Sequence, residues 1–506
     1  MRTSRQALGW LAVAAMAIAG CAFAPVPVVV PPPSYWPTAG FRSASPESQG
    51  LDSAALAEAV ETIRARGLAV HSVSIVVNGL LALDACFYPY DCASLHDVAS
   101  VTKSVTTTLV GQAIDDGAIA SVEQPIRSFF PDFPAEPDSM DAAIRVGDLA
   151  SMQSGLACGL APGERELFAM IQQPDWNRYV LALPHRMSPG REFAYCSGGM
   201  HLLSSIVSRA THEKTQDFAR RRLFTPLGID AFEWPVDPGG VAHGWGDLHL
   251  APHDLLKLGF LFLNGGRWER EQIVSEGWVR EATRPHARAA NDDYGYGWWL
   301  PRGDFAGVFE ARGRGGQHIT VWPARNLVAV LTGAGYPEDE VVQLLLRALR
   351  SDRALPADPE GEARLARALE AARAAPAARP VATPPEAART SSGRRYALEP
   401  NRFGLESVVA SFPGGPQASL ELVTRGSAWI VPIGLDGVPR LGDAGPTGNR
   451  PAATGRWLDE DRFAVQYTEP SGINSFVLTL TFAPRFQLTI DDPSHMFDLT
   501  AAVLDP

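Results

Sequence analysis

Apolar residues recur at helical spacing from Asp52 to Arg66, behind a capping Asp52, and the pattern stops at Gly67. The run Ser72–Val77, the pair Asn78-Gly79 and the run Leu80–Leu83 then predict a β-hairpin with a tight turn. Helical patterns follow at Val101–Asp116, Arg145–Met152, Met200–Ala210 and Pro252–Leu263. Gly307–Ala311, Ile319–Trp322 and Leu327–Leu331 read as strands, and Glu338–Arg350 as a helix. Helices thus flank an antiparallel sheet whose strands come from both ends of the segment, which is an α+β class.

Past residue 352 the pattern changes. Residues 353–391 are rich in Ala, Pro, Arg and Glu and read as a linker. Its first half is compatible with an exposed helix; the second, with its prolines, is not. Residues 392–506 carry about eight short alternating strands, from Arg395–Leu398 to Phe497–Val503, as in a small barrel or sandwich.

The chain has 506 residues, 46% of them hydrophobic, which predicts two domains with real cores. Its formal net charge of −12 and its lack of basic runs exclude a nucleic-acid partner from the reading. At the N-terminus, Arg2 and Arg5 precede an apolar run too short to serve as a stable membrane span. It ends in Ile18-Ala19-Gly20-Cys21, which resembles a bacterial lipobox and implies cleavage after residue 20 and lipidation of Cys21. The alternative is a plain secretory signal cut near Ala24. Residues 21–42 would be a proline-rich tether. The expectation is an outer-membrane lipoprotein facing the periplasm, joined to the membrane through its lipid.

Cys86, Cys92, Cys158 and Cys196 remain, an even number that suits disulfides in an exported chain. Cys86 and Cys92 flank a turn-like stretch and form the natural pair, leaving Cys158 for Cys196; the alternative is four free buried thiols. No Cys/His spacing suits zinc, so neither metal nor cofactor is expected.

The candidate chemistry starts at Ser100-Val101-Thr102-Lys103, ahead of a helical run. Positions three apart share a helix face, so the Lys103 amine can reach the Ser100 hydroxyl. Of 44 basic residues only Lys103, Lys214 and Lys257 are lysines, leaving 41 arginines. A chain that otherwise prefers the permanently charged guanidinium keeps a deprotonatable amine beside this serine. Tyr195, in Tyr195-Cys196-Ser197, could act as a general base if held between two cations. The run Arg312-Gly313-Arg314-Gly315-Gly316-Gln317 offers fixed positive charge and close backbone approach, and is expected to enter an edge strand.

In this order the three stretches resemble the serine hydrolases of the class C β-lactamase superfamily, which also holds penicillin-binding carboxypeptidases, β-lactamase-fold esterases and 6-aminohexanoate-dimer hydrolases. Leu149–Leu156, Leu223–Ile229 and Tyr294–Trp299 extend the likeness over residues 43–352. The last of these, with Gly315-Gly316-Gln317, looks most like the 6-aminohexanoate-dimer branch. The resemblance implies a β-lactamase/transpeptidase-like domain with Ser100 as nucleophile, Lys103 as its proton partner and Tyr195 as general base. It implies an oxyanion hole from the backbone N–H groups of Ser100 and Gln317, with Arg314, Gly315 and Gly316 as the strand motif and Ser197 lining the substrate site. It implies a lipocalin-like tail as well.

Two departures stand out: Ser197 replaces an asparagine, and Arg314 replaces a lysine or histidine. Both point away from a true β-lactamase. The expected activity is cleavage of a small-molecule amide or ester, or of a peptide, through an acyl-enzyme on Ser100. The alternative is a catalytically silent penicillin-binding-like lipoprotein that binds peptidoglycan or peptide. The tail has no chemical constellation of its own and reads as a structural or docking module.

Overall fold

The computed structural model describes residues 30–133, 139–158, 164–401, 403–445, 448–492 and 498–502. The leader, Cys21, the start of the tether, and Phe497 and Val503 at the ends of the last expected strand lie outside these residues.

Helix Ser53–Arg66 begins where the Asp52 side chain accepts the Ala55 N–H and ends at Gly67, which is left-handed. The hairpin Val70–Val77 and Leu80–Cys86 turns through Asn78 and Gly79, both at positive φ (53° and 80°), as a type I′ turn requires. Strand Val70–Val77 then pairs with Leu327–Gly333. The resulting eight-stranded antiparallel sheet runs, from its hairpin edge, Leu80–Cys86, Val70–Val77, Leu327–Gly333, Gln317–Trp322 and Phe309–Gly313, followed by three two-residue strands ending at Ala287–Arg288.

Alternation along these strands builds two cores. Val73, Ile75 and Val77 face the layer made by helices Ser53–Arg66, Glu338–Leu346 and Pro359–Arg373. Val76, Val328 and Val330 face a larger helical region containing Thr102–Asp115, Ser197–Thr211 and Pro252–Leu263. Helix Pro252–Leu263 lies on the sheet through Gly259, where a Cβ would come 2.5 Å from Val328 Cγ1.

The first half of the segment read as a linker contains a helix that packs on the first domain along one face and is exposed along the other. Helix Pro359–Arg373 buries Leu365, Ala368 and Ala372, which stabilises its attachment by on the order of 3 kcal/mol. The Arg364–Glu61 ion pair beside it is half-exposed and adds little.

The C-terminal region is a curled all-β half-barrel of ten strands from Arg395–Ala397 to Leu499–Ala502. Two of these, Arg440–Leu441 and Ala452–Trp457, go beyond the eight expected; the first has two residues and the second, Ala-Ala-Thr-Gly-Arg-Trp, no clear alternation. The barrel is not closed by a ladder: among the described residues its first and last strands are not paired, and the Glu399 N–H donating to the Ala502 carbonyl at 3.0 Å bridges them.

Candidate active site

Ser100 lies in a single 3₁₀ turn, Ala99–Val101, that runs into helix Thr102–Asp115. Ala99 has φ 45°, a conformation costing a non-glycine residue about 1–3 kcal/mol. The surroundings hold it there. The Asp97 carboxylate accepts the Ala99 N–H at 2.8 Å, and Thr102 Oγ1 donates to the Ala99 carbonyl at 2.6 Å. Gly313 lies against the same turn, because a Cβ there would meet the Val98 carbonyl at 2.6 Å.

Lys103 is 1% exposed. Its Nζ donates to Ser100 Oγ at 2.8 Å and to the Trp245 carbonyl at 2.9 Å. The same nitrogen stands over the Tyr195 ring, 4.7 Å from its centroid. Tyr195 stacks on Trp299 at 6.0 Å. Tyr195, distant in sequence, is thus brought to the Ser100–Lys103 pair.

Both expected disulfides are present, Cys86–Cys92 and Cys158–Cys196. The second fixes the residue after Tyr195 at the start of helix Ser197–Thr211, three residues earlier than the pattern indicated. The Asp84, Cys86 and Cys92 side chains cluster, but both sulfurs belong to the first disulfide and cannot ligate a metal.

The Arg314 run does not enter an edge strand. It is the hairpin turn between Phe309–Gly313 and Gln317–Trp322, and the latter strand is paired on both sides. Gly316, at φ 87°, allows Tyr336 to pack: a Cβ would sit 2.3 Å from its ring, and the Tyr336 hydroxyl donates to the Gly316 carbonyl at 2.7 Å. The buried Gln317 side chain braces the turn, donating to the Gly333 carbonyl at 2.6 Å and accepting the Gly333 N–H at 3.2 Å. Gly315 and Arg314 lie towards the C-terminal half-barrel: Arg314 Nη1 donates to Asn474 Oδ1 at 2.8 Å. The Ser197 hydroxyl is buried and donates to the Glu164 carboxylate.

A cavity of about 660 Å³ opens over Ser100. Glu164, Phe168, Trp176, Trp245, Arg314 and Ile473 are among its walls. Burial, then the neighbouring Asp247 carboxylate, pushes Asp97 up to about 6. Burial lowers the Arg314 guanidinium, against the opposing pull of Asp97 and other carboxylates. Trp245, Glu164 and Ile473 were not picked out from sequence. Trp245 acts through its backbone carbonyl, which has no sequence signature, and Ile473 comes from the other domain.

Residues 53–352 match the family model described as Beta-lactamase. The chain is 25% identical over 260 residues to a 6-aminohexanoate-dimer hydrolase of Paenarthrobacter ureafaciens, covering 46% of this chain and 65% of that protein. It is 30% identical over 139 residues to penicillin-binding protein 4 of Amycolatopsis lactamdurans, covering 27% of this chain and 35% of that protein. It therefore spans less than two thirds of the length of each of these curated relatives. Among solved structures, a putative 6-aminohexanoate-dimer hydrolase from Bacillus anthracis superposes with a TM-score of 0.51 at 16% identity, over 68% of this chain and 90% of that one.

Proposed function

The chain belongs to the beta-lactamase family, a family of β-lactamase-fold serine hydrolases, and from that premise we propose that it cleaves a small amide or ester through an acyl-enzyme on Ser100. The observation that carries this is Lys103 Nζ at 2.8 Å from Ser100 Oγ, with a backbone carbonyl as its other partner. Both partners are neutral, and at this distance the amine is within reach of the serine proton.

Ser100 Oγ attacks the substrate carbonyl carbon as Lys103 takes its proton. The carbonyl π electrons move to oxygen, where the Ser100 and Gln317 N–H groups receive the charge. Each such donor lowers the barrier by roughly 3–4 kcal/mol. As the intermediate collapses, the C–N or C–O bond breaks and the proton taken up by Lys103 passes through Tyr195 to the leaving group, which returns both residues to their starting state. Water then attacks the acyl carbon while Tyr195 takes its proton, and as the bond to Ser100 Oγ breaks that proton passes through Lys103 to the serine oxygen, giving the acid and restoring the hydroxyl. The similarity to the 6-aminohexanoate-dimer hydrolase favours small amides and esters over D-alanyl peptides, with β-lactams last.

We extend the proposal to an exported chain lipidated on Cys21. Two disulfides support an oxidising compartment. A mature N-terminus without diacylglycerol on Cys21, by mass spectrometry, would remove the lipid anchor.

A silent, peptide-binding relative is the second reading. It is favoured by Arg314 and Ser197 both being engaged by protein groups, Asn474 and Glu164. Intact-mass analysis after fluorophosphonate treatment separates the two. One adduct on the wild type and none on Ser100→Ala supports the hydrolase, and no adduct on either supports the binder.

A further inference from the structure

The turn Glu469-Pro470-Ser471-Gly472-Ile473-Asn474 joins two strands of the C-terminal half-barrel, Arg462–Thr468 and Ser475–Thr481. It does not end in solvent. Three ties fasten it to the first domain. The Asp97 N–H donates to the Ser471 carbonyl at 2.8 Å, three residues before Ser100. Asn474 Oδ1 accepts from Arg314 at 2.8 Å. The buried Ser475 hydroxyl donates to the Ala334 carbonyl at 2.7 Å, one residue past the glycine that Gln317 braces.

The turn is stiff from its own side as well. The Glu469 carboxylate, 4% exposed, accepts from the Tyr467 hydroxyl at 3.0 Å and from Asn449 Nδ2 at 3.2 Å. The Gly472 N–H donates to the Glu469 carbonyl at 2.8 Å. Ile473 lines the Ser100 cavity, and its carbonyl lies so close to Gly315 that a Cβ there would stand 2.8 Å away.

We propose that this turn is a wall of the hydrolase cleft, in which Ile473 limits the size of the acyl group and Asn474 is a positioning residue for Arg314. The second domain thereby completes the site. The inference rests on the hydrolase reading. An apolar side chain fixed by buried polar ties on both flanks cannot yield to a bulky group as a free loop would. The amide oxygen of Asn474 fixes the direction of the Arg314 guanidinium at the cleft wall through a charge-assisted hydrogen bond.

The test uses the full chain and measures, by intact mass, the rate at which methyl and dodecyl fluorophosphonates label Ser100. Ile473→Ala should raise the dodecyl-to-methyl rate ratio about tenfold, and Ile473→Trp should lower it. Opposite shifts are not what loss of folding produces. Asn474→Ala should slow labelling by both probes, and Asn474→Asp, which keeps the acceptor, should restore it. Labelled wild type with unchanged ratios in both Ile473 variants overturns this proposal and leaves the hydrolase standing. Absence of wild-type labelling overturns both.

Discussion

Lys103 Nζ bridges Ser100 Oγ and the carbonyl of Trp245, at 2.8 and 2.9 Å. The first bond follows from helical spacing. The second binds the amine to a segment 142 residues away and fixes its rotamer. An amine so held, and 1% exposed, has little freedom to leave the serine.

Lys103→Arg keeps a hydrogen-bond donor beside Ser100 but places there a guanidinium that cannot act as a base. It is expected to lower kcat/KM on a nitrophenyl ester by about 10²–10⁴-fold. A variant retaining a third or more of wild-type activity would show that another group takes the serine proton.

Asp97 predicts a pH-dependent stability difference. Its folded value is raised to about 6 from an ordinary 3.8, so the folded state holds the proton longer than the unfolded one. Stability from this residue is therefore present below pH 4 and lost as pH rises to about 6. The nearby His71 and His96 act oppositely, because burial lowers both, His96 to about 4; they cost stability as pH falls below 6.5. Asp97→Asn isolates the carboxylate. In thermal melts it should be more stable than wild type at pH 7.5 and no more stable at pH 4. The reverse ordering would contradict the assignment.

The Cys158–Cys196 disulfide closes a loop with a sequence separation of 38 and ends beside Tyr195. Replacing both cysteines by serine should cost about 3–4 kcal/mol of stability. Because the loop also positions Tyr195, kcat should fall by more than KM rises. Unchanged melting and turnover would show that the disulfide has no part in holding the site.

Gly316→Ala should destabilise by about 2–4 kcal/mol, combining a strained φ with a clash against the Tyr336 ring. Urea unfolding of the single variant beside Gly316→Ala/Tyr336→Ala separates the two costs. The double variant should recover the clash component only; no recovery would mean backbone conformation carries the whole cost.

Much of the fold is legible locally. Asp52 and Gly67 bound a helix because one caps its free N–H groups and the other adopts a left-handed exit. Asn78-Gly79 sets the hairpin because both residues tolerate positive φ. The strand at Ala452–Trp457 was missed because Ala, Gly and Arg give it no alternation, and pairing with its neighbours supplies what its own pattern lacks. The helix Pro359–Arg373 reads as exposed because alanines carry little apolar signal. Only contact with helix Ser53–Arg66 shows which face is covered.

By itself the sequence determined the α+β class, the Ser100–Lys103 spacing, the cysteine partners and the kinship carried by the motifs. These depend on backbone conformation, side-chain period and order along the chain, all readable within short windows. Tertiary structure alone decided that Trp245 offers its carbonyl to Lys103, that Gln317 braces a turn and that Asn474 engages Arg314. It alone set the half-barrel turn beside Ser100. Such contacts join groups from different strands, turns and domains, 16 residues apart for Gln317 and Gly333, 142 for Lys103 and Trp245 and 160 for Arg314 and Asn474, and no local preference encodes which of them will meet.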